Sequence, residues 1–155
     1  MRSAAFVLLA AAVLVLAPAS GRADAPGRHP AYLHARSDLK ASQLHMRKTD
    51  DPRVNAFLKE ADREVDAAIH ELDQAAALDA KDLNNNPPID ANLDRNGRFH
   101  KIVELLRSAR TDMTHPEDNL SAVGWRDAAA KHIDAALEHI RKAAVTLSID
   151  KELGY

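Results

Sequence analysis

The stretch Val54-Asn-Ala-Phe-Leu58-Lys-Glu-Ala61-Asp-Arg-Glu-Val65-Asp-Ala-Ala68-Ile-His-Glu-Leu72-Asp-Gln-Ala75-Ala76 decides the fold. Val54, Leu58, Ala61, Val65, Ala68, Leu72 and Ala75 step by four and three residues in turn, the spacing that keeps one stripe of a helix against a neighbour. Phe57, Ile69 and Ala76 broaden the stripe into a face suited to a bundle. Three stripe positions are alanine, so the facing helix can approach closely. Just upstream, Thr49-Asp50-Asp51-Pro52 sets a capping oxygen ahead of a proline, the combination that starts a helix.

The same periodicity recurs on both sides. His29-Pro30 opens an earlier stretch, since proline is tolerated in a first turn. Tyr32, Ala35, Leu39, Ser42 and Met46 make its face, with Leu33 and Leu44 at the edges. After residue 80 the pattern breaks in Lys81-Asp-Leu-Asn-Asn-Asn-Pro-Pro-Ile-Asp-Ala-Asn-Leu-Asp-Arg-Asn-Gly97, where Pro87-Pro88 forbids a continuing helix. Ile89 and Leu93 in this loop are expected to pack inward over one end. A third face follows with Phe99, Ile102, Val103, Leu106, Ala109 and Met113. A fourth, after Pro116, carries Trp125, Ala129, Ile133, Ala136, Leu137, Ile140, Ala144 and Leu147. No segment alternates apolar and polar residues as a strand would. Four one-faced helices on short or moderate connections predict an all-α, antiparallel up-down-up-down four-helix bundle over residues 29–150.

Residues 1–23 read differently. Arg2 precedes an unbroken apolar run, Ala4 to Ala17, followed by small residues with cleavage positions after Ala19, Ala23 or Ala25. This is the pattern of a cleaved secretory signal peptide. The run is shorter than the roughly 20 residues that span a bilayer. No transmembrane segment is therefore expected in the mature chain, and the expected location is periplasmic or secreted. Of 21 basic and 23 acidic residues, cleavage after Ala23 removes Arg2 and Arg22, leaving a net charge near −4. Such a chain lacks the basic footprint of a nucleic-acid binder. It contains no cysteine, which rules out disulfides, thiolate zinc sites and covalent c-type haem.

His29-Pro-Ala-Tyr-Leu-His-Ala35 with Asp38-Leu39, and Asp82-Leu-Asn-Asn-Asn-Pro-Pro-Ile-Asp90 followed by Leu93-Asp-Arg95, resemble the opening and the middle of a group of small exported bacterial helical proteins. The resemblance covers most of the mature chain. It implies an exported helical protein and lends no catalytic residue, substrate or cofactor.

Chemistry has few footholds. His34 and Asp38 are four residues apart on one helix, as are Asp66 and His70 on the next. A hairpin turning near Asp50 would bring the two pairs level and could hold a divalent transition metal through His34, Asp38, Asp66 and His70. The plainer alternative is solvated pairs on helix surfaces. Asn92, Asp94 and Asn96 alternate ahead of Gly97 like the start of a calcium loop. In that register the twelfth position is Val103, and starting at Asp90 puts Arg95 where glycine belongs. His132 and His139 sit seven residues apart, about 10.5 Å along a helix and too far for one ion; His132 could face inward as a haem ligand. Glu-x-x-His and His-Glu-x-x-His are absent, no serine stands in a nucleophile-elbow context, and the five glycines are scattered.

The expectation is an exported, non-enzymatic bundle without a cofactor, a binding or structural accessory for an unidentified protein partner in the cell envelope. Leu44 and Tyr32 are the docking residues to examine, and a dimer is compatible with the alanine-rich seam. The alternative is a periplasmic transition-metal-binding protein using the His/Asp pairs.

Overall fold

The computed structural model describes residues 30–48, 50–78, 92–116 and 120–155. The signal-peptide region, Ile89 and Asp90 lie outside them. Among the described residues there are four helices and no strand: α1 Pro30–Met46, α2 Pro52–Leu78, α3 Arg95–Asp112 and α4 Leu120–Leu147. The starts of α2 and α3 are capped as their chemistry requires. Asp51 caps α2 ahead of Pro52, its Oδ1 accepting the Arg53 N–H at 2.9 Å. The Arg53 guanidinium and that N–H hold the Asp51 carboxyl at a pKa of about 2. Asp94 caps α3 by accepting the Gly97 N–H at 2.7 Å. A Cβ at Gly97 would lie 2.9 Å from that carboxylate oxygen, so glycine leaves room for the cap.

All seven positions of the α2 stripe are buried, as are the predicted α3 face and Tyr32, Ala35, Leu39, Ser42 and Met46 of α1. The topology differs from up-down-up-down. Arg36 to Asp73, Gln43 to Asp66 and Arg47 to Asp62 pair α1 with α2 in antiparallel fashion. Arg95 and Arg98, at the start of α3, both reach Asp50 at the α1–α2 turn. The first turns of α2 and α3 therefore share one end of the bundle, and the two helices run parallel. Arg110 to Asp134, and Arg126 to the His115 carbonyl, make α4 antiparallel to α3. In chain order the helices run up, down, down, up. Around the bundle the order is α1, α2, α4, α3, so α2 packs on α4 and lies diagonal to α3.

Alanine decides that pairing. Ala61, Ala68 and Ala75 of α2 and Ala122, Ala129, Ala136 and Ala143 of α4 each recur every seven residues, and all are buried. Glu64 meets His132 at 2.8 Å, which fixes the antiparallel register. That register brings Ala75 level with Ala122, Ala68 with Ala129, and Ala61 with Ala136, each to within a turn. Methyl against methyl lets two helices approach toward the short end of the usual 8–10 Å separation. The predicted α3 face has alanine only at Ala109 and otherwise bulky Phe99, Ile102, Val103, Leu106 and Met113, so it cannot substitute for α4. Trp125, expected on the apolar face of α4, stands at the rim with 39% of its surface exposed. A seam this tight has no room for an indole.

The packed chain also continues past residue 150. After α4 the backbone turns at Ser148, and Ile149 and Leu153 join the apolar core.

Candidate functional site

The four proposed metal ligands are not brought together. The α1–α2 pairings set Asp66 opposite Gln43, whose amide donates to its Oδ1 at 2.6 Å. By the same register His34 stands opposite Ala75, nine residues or about 13 Å along α2 from Asp66. A hairpin centred on Asp50 would have made the pairs level; α2 instead slides upward so that Arg36, Gln43 and Arg47 each meet an aspartate. Asp66 also lies 3.6 Å from the Arg47 guanidinium, and His70 is exposed. Among the described residues no three His, Asp or Glu side chains form a group able to hold a metal ion.

His34 and Asp38 face α3 instead of α2. Burial pushes the Asp112 carboxyl above its usual range. The His34 charge pulls it back, Asp38 pushes it up further, and His115 acts in the same direction as His34. An acid whose folded-state pKa is raised contributes stability below the ordinary carboxylate range and loses it as pH rises through the folded value. Asp112→Asn is therefore expected to raise the melting temperature at pH 7.5 and leave it nearly unchanged at pH 4. Thermal melts of the two chains across that range measure it.

The calcium-like loop is committed elsewhere. Asp94 and Asn96 serve the start of α3: Asp94 is its cap, and Asn96 is already helical, donating to Glu152 at 3.2 Å. A twelve-residue calcium loop takes its early ligands from the loop itself; here Asn96 lies inside α3, and the Asp94 carboxylate is taken by the Gly97 N–H. Asn92 is exposed in the turn before the cap. His132, considered as an inward ligand, lies at the α2–α4 rim with its Nδ1 on Glu64.

Ser42, Arg36, Arg98 and Asp50 have structural partners inside the bundle. Ser42 donates to the Leu39 carbonyl at 2.7 Å within its own helix. Arg36 and Arg98 are buried with aspartate partners. Asp50 is the least expected of these: its side chain is 1% exposed, holds Arg95 at 2.9 Å and Arg98, and accepts the Asp51 N–H at 2.7 Å. The sequence signal for it was present in Thr49-Asp50-Asp51-Pro52, but two adjacent aspartates disguised a division of labour in which one caps α2 and the other clamps α3.

Two exposed apolar side chains, Leu120 and Trp125, lie near the start of α4, and Val145 lies near its other end. Leu120 is 88% exposed, and Ser121, Gly124 and Trp125 are exposed with it over the first two turns, bordered by the exposed Asp127. A Cβ at Gly124 would meet nothing within 4 Å. Leu44 is 42% exposed on α1, whereas Tyr32, the other docking residue expected there, is 3% exposed and belongs to the core. No described helix is long and apolar enough to cross a membrane. The chain matches no protein-family model, no curated protein and no solved structure.

Proposed function

We propose that this protein is an exported, non-enzymatic helical bundle acting as a binding or structural accessory in the cell envelope. The observation that carries the reading is the interior: the α2–α4 seam is alanine, valine, leucine and isoleucine from end to end. The buried arginines are tied to carboxylates in pairs that hold helices together. Chemistry needs reacting groups converging on a shared space, and among the described residues the acids and bases are distributed along helix seams and rims. The outward side chains Leu44, Leu120 and Trp125 are the contacts such an accessory would offer a partner.

Export is supported by the Arg2 start, the Ala4–Ala17 apolar run and the small residues that follow it. Expression of the whole chain in a bacterium, followed by cell fractionation and N-terminal sequencing, tests it. The expected product lies in the envelope or medium and begins at residue 20, 24 or 26. A chain retained inside the cell and still starting at Met1 contradicts export. Turnover above background in hydrolase or redox screens of the purified protein contradicts the non-enzymatic role.

A further inference from the structure

We propose that Ile149–Tyr155 is a releasable strap, latched to α3 by Arg107 and hinged at Ser148. The α4 helix ends at Leu147 with neither glycine nor proline to stop it. It stops because Ser148 adopts φ +61°, a left-handed conformation that L side chains disfavour and glycine usually supplies at this position. The break is well formed: Ser148 N–H bonds the Val145 carbonyl and Ile149 N–H the Ala144 carbonyl, both at 3.0 Å. A second turn of the same kind closes the strap. Gly154, at φ +74°, and Tyr155 donate to the carbonyls of Lys151 and Asp150 at 3.2 and 3.1 Å. The N–H groups of Leu153, Gly154 and Tyr155 thus bond within the strap, while that of Ile149 reaches back to α4.

Its attachments are few and mostly at the surface. Ile149 and Leu153 are buried in the core. The Arg107 guanidinium donates to the carbonyls of Leu153 and Gly154 at 3.3 and 3.4 Å and sits 5.3 Å from the centre of the Tyr155 ring. One side chain therefore holds three consecutive strap residues. Asn96 to Glu152 at 3.2 Å and Tyr155 Oη to the Leu137 carbonyl at 3.4 Å add to it. An open groove of about 520 Å³ runs along α3 beside the latch, bounded by Val103, Arg107, Thr111 and Leu153, so solvent reaches both the guanidinium and the edge of the strap. Lys151, Glu152 and Leu153 are good helix formers. Once the latch opens, Ser148 can return to right-handed geometry and α4 can run straight on. The hinge favours release, and Arg107 with the two apolar anchors opposes it.

Hydrogen–deuterium exchange on the whole folded chain tests this, comparing Arg107→Ala and Ser148→Gly with the parent. In Arg107→Ala the amides of residues 149–155 should exchange at least about tenfold faster, while central α2 and α4 amides keep their rates. In Ser148→Gly, where the left-handed turn is free of side-chain strain, the same strap amides should slow. Strap amides that do not respond to Arg107→Ala, or that accelerate only in step with α2 and α4, overturn the proposal. Faster or unchanged strap exchange in Ser148→Gly, a substitution that does not threaten folding, overturns it independently.

Discussion

Replacing Asp50 with alanine should lower the unfolding free energy by about 3–5 kcal/mol, the range expected when one member of a buried ion pair is deleted and its partner is left charged. Asp50 is almost fully enclosed and Arg98 nearly so; Arg95, half exposed, contributes less. Removing the carboxylate strands the Arg98 guanidinium and leaves the Asp51 N–H without its acceptor. It also disconnects the α1–α2 turn from the first turn of α3, the contact that helps set α3 parallel to α2. Asp50→Asn should cost nearly as much, because the amide restores an acceptor but no charge. In the double variant Asp50→Ala/Arg98→Met part of the loss should return, since the stranded charge goes with its partner. Urea titrations of the three variants measure all of these, and a loss below about 1 kcal/mol for Asp50→Ala, the range of an exposed pair, would refute the clamp.

The second large effect falls on the alanine seam. Ala68→Leu should destabilise by about 3 kcal/mol, the upper end for forcing extra methylenes into a packed interior. Ala68 is fully buried and faces α4 near Ala129, where neither backbone can retreat without opening the rest of the seam. Ala56→Leu, on the exposed side of the same helix, should stay within about 0.5 kcal/mol of the parent. The contrast separates a steric seam from general intolerance of leucine in α2, and denaturant midpoints at constant m-value read it.

How much of this was legible in the sequence follows from what each interaction needs. The α2 stripe could be read because a helix with one apolar face announces itself by period alone, and all seven residues are in the core. The identity of its partner could not be read so simply. The heptad Ala122, Ala129, Ala136, Ala143 is present in the chain, but alanine is also common on helix surfaces, and only the pairing shows that these four are the complement of Ala61, Ala68 and Ala75. Trp125 misled for the opposite reason: its size suggests core, and its size excludes it from a seam built of methyl groups. The metal pairs failed on register, which is set by three arginine and glutamine contacts to aspartates across α1 and α2, not by the position of the turn. The bundle boundary near residue 150 missed Leu153 and Tyr155 because a helix break at serine carries no glycine or proline to mark it.

The most direct test is a set of nuclear Overhauser contacts between alanine methyl groups in the folded protein. Cross-peaks should link Ala61, Ala68 and Ala75 with Ala136, Ala129 and Ala122, running in opposite directions along the two helices. Cross-peaks from those α2 methyls to Ile102 and Leu106 of α3, with none to the α4 alanines, would mean that the helices follow the simple sequential order and that the seam described above does not exist.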